Sequence, residues 1–300
     1  MKKGVLAVVV ASFLYGIMPI FTKRVLMEGM TSGSVVFYRL FFAAVFSFII
    51  LKITKADMSV TGQQFAHLTI FGIIGFGATM ALLTVAYSLI PTGLATMLHF
   101  TYPLFVTIVM AVAFREKLSA LKIISCVCAL GGLALMADFS RLSVVGIIMA
   151  VCSGVTYACY VIANRKSSFA NLPGLVIVFY VSSAAAVFFG IKAVVMKEFM
   201  LPKNMICLGL LLIIAIFCTI ITLYLLTYGI KTLGASTASV LNMLEPVISL
   251  LAGMVVYKEA VALKGIAGCV LVVLSGLAVA FDSANQQQKV KVHINTARYR

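Results

Sequence analysis

Long apolar stretches make up almost the whole chain, and short polar breaks separate them. A helix needs about 20 apolar residues to cross the hydrocarbon core of a bilayer, and the stretches have about this length. Breaks such as "KADMSV", "REKLS" and "YKEAVALK" are too short to hold a soluble domain. The pattern predicts an all-α integral membrane protein with ten transmembrane helices, near residues 5–26, 34–53, 66–89, 94–114, 120–138, 143–164, 174–195, 204–229, 235–256 and 262–281.

Composition supports this class. The chain is 63% hydrophobic and only 10% charged, and its mean hydropathy is +1.17. Soluble domains are about a quarter charged, so this chain has too few polar groups to cover its apolar surface in water. The opening "MKKGVLAVVV" has the charge and apolar run of a secretory signal, but no convincing small-residue cleavage pattern follows it. We therefore expect the first apolar stretch to be a membrane helix.

Basic residues in the short loops predict the orientation. If both termini lie inside the cell, most of the 23 Lys and Arg residues fall on the cytoplasmic side, as the positive-inside rule requires. We therefore expect a multi-pass protein of the cell (plasma) membrane with both termini cytoplasmic. The net charge of +15 is scattered over many loops without a basic stripe, which argues for the lipid bilayer and against nucleic acid as a partner.

The two halves of the chain resemble each other. "GVLAVVVASFLYG" aligns with "GIIMAVCSGVTYA", which pairs Tyr15 with Tyr157. "PLFVTIVMAVAFREKL" aligns with "PVISLLAGMVVYKEAV" at nearly the same offset, which pairs Pro103 with Pro246. Chance apolar similarity does not explain several matches at one offset, so the sequence indicates an internal duplication.

The duplication defines the predicted domains. Residues 4–138 form a first five-helix repeat, residues 143–281 form a second, and residues 282–300 are a basic cytoplasmic tail that we expect to be disordered. Because five is an odd number, the second repeat lies inverted in the membrane. Inverted repeats recur in secondary transporters, whose binding site lies near the midplane between the repeats.

The motifs also resemble those of a known family. A mid-helix proline, an apolar stretch ending in Glu ("FRE" and "YKE") and a Gly-containing helix ("GGLALM" and "LSGLAVA") occur twice in this order. This pattern resembles the EamA family of the drug/metabolite transporter superfamily. The resemblance implies a ten-helix inverted-repeat transporter with a central cavity, commonly an exporter of amino acids or related small metabolites.

Glu245 is the main candidate for a functional site. Among eight acidic residues it alone lies near the middle of a predicted membrane helix, where a charge is costly and usually marks a binding site or pathway. The alternative is a structural ion pair. Arg39 is the expected partner of Glu245, although its long side chain can instead extend outward to the membrane interface.

The other candidates lie close to the duplicated prolines or at matched positions. Pro103 and Pro246 are expected to kink their helices and to leave carbonyl groups facing a cavity. Packing alone is the competing interpretation for each candidate. Tyr102 occupies the first-repeat position that Glu245 occupies in the second. The remaining candidates for substrate binding or coupling are Tyr15, Tyr157, His99 and Asn242.

Cofactors are not expected. The seven cysteines fall in apolar stretches without a C-x-x-C pair, and with three histidines and one mid-helix carboxylate we find neither a metal site nor the side-chain set of an enzyme. A P-loop is also missing, so the expected function is secondary transport of a small-molecule substrate. The alternatives are a lipid-modifying membrane enzyme and a non-transporting sensor. Proton coupling at Glu245 and facilitated diffusion both remain open, and the sequence predicts no oligomeric state.

Overall fold

The computed structural model describes residues 2–90, 92–116, 119–137, 142–257 and 262–298, and all regular secondary structure in these ranges is helical. Two π-helices, π1 (Phe71–Gly77) and π2 (Ile216–Ile221), are inserted between α-helices. The α-helices are α1 (Lys2–Met27), α2 (Ser32–Ile53), α3 (Gly62–Ile70), α4 (Ala78–Leu89), α5 (Thr92–His99), α6 (Tyr102–Val112), α7 (Ala120–Met136), α8 (Val144–Lys166), α9 (Gly174–Val195), α10 (Met205–Ala215), α11 (Thr222–Leu233), α12 (Ala235–Asn242), α13 (Leu244–Tyr257) and α14 (Leu263–Arg298).

These helices confirm the predicted ten-span membrane fold. Within the described ranges, nine helical segments are long and apolar enough to cross a membrane, and α7 is a shorter apolar helix of 17 residues. At about 1.5 Å per residue, α7 is about 25 Å long, close to the thickness of the hydrocarbon core. The third span consists of α3, π1 and α4, and the eighth of α10, π2 and α11.

The fourth span of each repeat is interrupted. In the first repeat α5 ends at His99 and α6 begins at Tyr102, while in the second α12 ends at Asn242 and α13 begins at Leu244. Both interruptions lie near mid-membrane, counted from the ends of the spans. The repeats therefore share a broken fourth span and a third span that contains a π-helix.

The two inverted repeats interlock. The first helix of each repeat packs on the third and fourth spans of the other: α1 contacts α11, α12 and α13, and α8 contacts α4, α5 and α6. The second helices, α2 and α9, pack on each other, and so do the last, α7 and α14. Consequently the centre of the molecule is built from both repeats.

Small residues allow α7 and α14 to approach closely. A Cβ added to Gly132 would lie 2.6 Å from the carbonyl oxygen of Gly268, which leaves no room for a side chain. Close approach of this kind stabilises helix pairs in membranes through van der Waals packing.

Hydrogen bonds join the two repeats on both faces of the membrane. We call the face that holds Lys2 and the start of α3 the terminal side, and the other face the opposite side. On the terminal side the Gln64 amide donates to Ser168 O (3.2 Å). On the opposite side the Ser34 hydroxyl donates to Glu198 O (2.8 Å). Each face therefore has its own contacts between the repeats.

The prediction that the C-terminal tail is disordered was wrong. The backbone of α14 continues as a helix beyond the membrane span to Arg298. Residues 283–298 contain neither Gly nor Pro, and about half of them are Ala, Gln, Lys or Arg, which are good helix formers. Nothing in this segment therefore stops the membrane helix from continuing into the polar tail.

Candidate functional site

The break between α12 and α13 places a carboxylate at the start of a helix in mid-membrane. Glu245 lies in the first turn of α13, and Pro246 is the third residue of that helix. Proline is tolerated in a first turn, where its missing N–H leaves no hydrogen bond unmade. The partial positive charge of the helix N-terminus stabilises a carboxylate there. The proline thus begins a half-helix and does not kink a continuous one.

The first repeat has the same arrangement without the charge. Pro103 is the second residue of α6, and Tyr102 precedes it at the start of that helix. His99 ends α5 one turn earlier, as Asn242 ends α12. The two breaks are therefore equivalent, and they differ in the side chains they present.

A hydrogen-bonded network joins the two breaks to α1. The Asn242 side-chain amide donates to the Tyr102 hydroxyl (3.0 Å) and to Glu245 Oε2 (3.3 Å). The Ser12 hydroxyl donates to Asn242 Oδ1 (3.1 Å), and the Tyr102 hydroxyl donates to Ser239 O (3.5 Å). Asn242 and Tyr102 are buried, whereas Glu245 stays partly exposed. Glu245 is therefore held at one carboxylate oxygen, while the residue as a whole is not fully buried.

Glycines bring the first helix of each repeat against the break of the other. A Cβ added to Gly16 would lie 2.8 Å from Glu245 O, and one added to Gly154 would lie 2.7 Å from His99 O. Because backbone meets backbone at both points, the neighbouring side chains Tyr15 of α1 and Tyr157 of α8 are brought into the centre.

Aromatic rings form one wall of the centre. The rings of Tyr102 and Tyr157 meet edge to face, with centroids 4.7 Å apart. The His99 ring lies 5.6 Å from that of Tyr102 and 5.5 Å from that of Tyr157. His99 Nδ1 is also 3.0 Å from the Ser153 hydroxyl. His99 is thus fixed in the wall, with its ring packed on both tyrosines.

Arg39 is anchored to π2. It is only 8% exposed, and its Nε donates to the Thr219 hydroxyl (2.7 Å) while its Nη2 donates to Cys218 O (3.2 Å). The wider turn of a π-helix changes the regular hydrogen bonding of the backbone. The prediction of an ion pair between Arg39 and Glu245 was wrong, because no contact within 4.0 Å joins the two among the described residues. The alternative prediction, that the Arg39 side chain extends outward to the membrane interface, was also wrong.

Tyr15 contributes an unused hydroxyl group. The residue is 6% exposed, and its OH has no hydrogen-bond partner among the described residues. It lies close enough to Glu245 and Arg39 for electrostatic interaction with both. A buried hydroxyl without a partner is unfavourable, so this group is suited to a ligand or a water molecule.

Comparison with known proteins identifies the family. A sequence profile of the EamA-like transporter family matches residues 2–137 and 144–281. The chain belongs to the EamA-like transporter family. A protein of Clostridium kluyveri described as an uncharacterized transporter is 20% identical over 99% of both chains. A second uncharacterized transporter, from Archaeoglobus fulgidus, is 24% identical and covers 94% of this chain and 97% of its own.

A solved crystal structure has the same fold. It matches this EamA-like transporter with a TM-score of 0.79 at 18% identity, and it covers 94% of this chain and 98% of its own. The family and these relatives are transporters, so the protein is a multi-pass membrane transporter and not an enzyme. The alternative prediction of a lipid-modifying membrane enzyme was therefore wrong.

Most residues predicted for the site lie together in this transporter. Tyr15, Tyr102, Tyr157, His99, Asn242 and Glu245 surround the two breaks, and Arg39 lies beside them on α2. Glu116, which carries the family pattern, lies on the terminal side with its carboxylate 3.6 Å from Lys122 Nζ. Its counterpart Glu259 lies outside the described residues.

Two participants were missed by sequence reasoning. Ser12 lies three residues before Tyr15 and so on the same face of α1, a spacing that was sufficient to find it. Thr219 carries no comparable signal, because only the π-helix brings it to Arg39. The described residues contain no group of three or more His, Cys, Asp or Glu arranged to hold a metal ion.

Proposed function

We propose that this transporter exports small zwitterionic metabolites, amino acids or related compounds, by alternating access around Glu245. The observation that carries the proposal is that the centre contains two opposite charges that no direct contact within 4.0 Å joins in the part of the chain that the structure describes. Glu245 is partly exposed, and Arg39 is bonded to π2 and not to the carboxylate. A ligand with an ammonium group and a carboxylate group is complementary to both.

Each charge has bonding capacity to spare. Arg39 has five N–H donors, of which the hydrogen bonds to Thr219 and Cys218 use those at Nε and one at Nη2. Glu245 receives a hydrogen bond at Oε2 from Asn242, and its other oxygen is suited to an ammonium group. The Tyr15 hydroxyl, which has no hydrogen-bond partner among the described residues, is suited to a further polar group of such a ligand.

The interrupted spans support alternating access. Half-helices can tilt at the breaks without unfolding, because no continuous ladder of hydrogen bonds crosses them. Both breaks adjoin the central site, and the repeats have separate contacts on each face. Rocking one repeat against the other would open these contacts in turn.

The basic residues support a cytoplasmic terminal side. Short loops rich in Lys and Arg remain in the cytoplasm. We propose on this basis that both termini are cytoplasmic and that the membrane is the plasma membrane. Described basic residues on this side include Lys2, Lys3, Lys52, Lys55, Arg115, Arg165 and Lys166.

Transport by purified protein tests the proposal. Proteoliposomes preloaded with unlabelled amino acids, one compound each, are assayed for exchange with the external radiolabelled compound. We expect saturable exchange for at least one of them and a loss of more than tenfold in Glu245→Gln, because a hydrogen bond to a charged group contributes about 1.5–3 kcal/mol. No exchange across the panel, or full exchange by Glu245→Gln, would contradict the proposal.

Asp57→Asn is the matched control. Asp57 is a carboxylate in an exposed loop, where hydrogen bonds from Ser59 hold the pKa of its carboxyl below the usual value. It is therefore ionised at neutral pH, and the substitution removes one negative charge as Glu245→Gln does. Exchange by Asp57→Asn should equal that of the unmodified protein.

A further inference from the structure

Two buried hydroxyl groups lie on the half-helices that lead from the breaks to the terminal side. Thr107 of α6 is 3% exposed and Ser236 of α12 is 0% exposed, and neither hydroxyl has a hydrogen-bond partner among the described residues. Serine and threonine in helices often donate to a carbonyl one turn back, as Ser239 does to Ser236 O. Buried hydroxyls without a protein partner usually bind water.

Both hydroxyls lie at one interface. α6 and α12 pack against each other, and they run in opposite directions between mid-membrane and the terminal side. They meet at the breaks through the bond from Tyr102 to Ser239 O. At about 1.5 Å per residue along a helix, Thr107 lies about 7 Å closer to the terminal side than Tyr102 does. Ser236 lies about 4 Å closer to that side than Ser239 does. We call this interface, residues 102–110 against residues 234–239, the α6–α12 seam.

The seam opens into a cavity on the terminal side. A cavity of about 380 Å³ is lined by Met110, near the end of α6, and by Gly234, next to the start of α12. Its rim carries the charged residues Glu116, Arg165 and Lys166. At the inner end of the seam, Tyr102 is bonded through Asn242 to Glu245. The seam therefore lies between the cavity on the terminal side and the central carboxylate.

We propose that the α6–α12 seam holds a file of water molecules through which Glu245 exchanges protons with the terminal side. In one direction of the transport cycle, a proton from a hydronium ion in the cavity passes along the file and neutralises the Glu245 carboxylate, and it leaves toward the opposite side. In the other direction, Glu245 takes up a proton from the opposite side and releases it along the file to water in the cavity. The coupling role rests on the proposed function, whereas the water file does not. The titratable groups that face Glu245 from neighbouring elements are Tyr15, Arg39, Tyr102, Tyr157 and Cys218.

Cysteine accessibility tests the water file without a substrate. Thr107→Cys and Ser236→Cys, each in lipid nanodiscs, are treated with hydrogen peroxide, whose molecule is little larger than water, and labelling of the thiols as sulfinic and sulfonic acids is followed by peptide mass spectrometry. Matched controls are Ser47→Cys and Ser182→Cys, since Ser47 and Ser182 are also buried hydroxyls without partners but lie in α2 and α9. A reagent needs a continuous path, which an isolated buried water does not provide.

We expect the two seam cysteines to be labelled at least tenfold faster than the two controls. Equal rates at the four positions, or no labelling in the seam, would overturn the proposal. The native Cys207 is fully buried and serves as the folding check in every sample, because it stays unlabelled while the protein is intact.

Transport by Thr107→Val and Ser236→Ala tests the coupling role. Both variants should lose at least fivefold in flux driven by a pH gradient and keep exchange at equal pH within twofold, since exchange requires no net proton movement. Equal losses in both assays would indicate a structural effect and overturn the coupling role, as would no loss in either. If the unmodified protein shows no exchange, the proposed function is refuted. The labelling rates alone then decide whether the seam holds a water file.

Discussion

At the scale of residues, the two central charges depart from the symmetry of the repeats. Glu245 corresponds to Tyr102, and the offset that pairs Tyr38 with Tyr180 pairs Arg39 with Val181. The duplicated scaffold thus carries charges only in the part of the centre formed by α2, π2 and α13. A binding site with such polarity fixes the direction in which a zwitterion lies, which a symmetric site does not.

The Tyr102 hydroxyl should matter for transport more than for stability. In Tyr102→Phe, Asn242 loses an acceptor and the link from Glu245 to the α6–α12 seam is cut. We expect a fall of about fivefold in exchange and a loss of about 1 kcal/mol in stability, the usual contribution of one hydrogen bond. Exchange in proteoliposomes and thermal unfolding in detergent measure the two effects.

Tyr180→Phe is the control for Tyr102→Phe. Its hydroxyl donates to Met58 O (3.0 Å) in a loop far from the breaks. The stability loss should be similar, while exchange should be unchanged. If both variants lose exchange in proportion to their stability, the Tyr102 hydroxyl has only a structural role.

At the scale of elements, the sequence predicted the helices and the location of the breaks but not their form. Membrane helices follow from apolar length, and the prolines marked the interrupted spans. The π-helices were not predicted, because a π-helix changes the hydrogen-bond register of the backbone and leaves hydrophobicity unchanged. For the same reason the sequence predicted Glu245 as the ion-pair partner of Arg39. In the structure the Cys218 carbonyl and the Thr219 hydroxyl of π2 are nearer to it.

The contact between α1 and α13 should be sensitive to a single methyl group. In Gly16→Ala, the new Cβ would lie 2.6 Å from Ile248 Cβ and 2.8 Å from Glu245 O, so one helix must move. Overpacking of this kind costs about 1–3 kcal/mol. We expect a lower unfolding temperature and a loss of exchange, because the shift displaces the start of α13.

Gly209→Ala separates the clash from the effect of alanine itself. Nothing lies within 4 Å of a Cβ added to Gly209 in α10. Alanine favours the helix over glycine by up to about 1 kcal/mol, so this variant should be equally or more stable and should exchange normally. A stable and active Gly16→Ala protein would show that α1 and α13 are not in tight contact.

At the scale of the whole molecule, the interlocked repeats link the two faces of the membrane. α1 packs on α12 and α13, and α8 packs on α5 and α6, so each break is supported by the first helix of the other repeat. Each break therefore contacts both repeats. The duplication in the sequence indicated two repeats. The packing of the helices shows in addition that both repeats form the centre of the molecule.

The orientation of the molecule determines whether the α6–α12 seam supplies protons from the cytoplasm. The terminal-side loop around Asp57 and the opposite-side loop around Leu201 face different compartments, because five spans, an odd number, lie between them. With the positive side inside, alkaline phosphatase fused after Asp57 should be inactive and the same enzyme fused after Leu201 active. A fluorescent protein fused to the C-terminus should mature and fluoresce in the cytoplasm. The reverse phosphatase pattern would place the seam on the outer face, and export driven by entering protons would then use the seam as the proton entry.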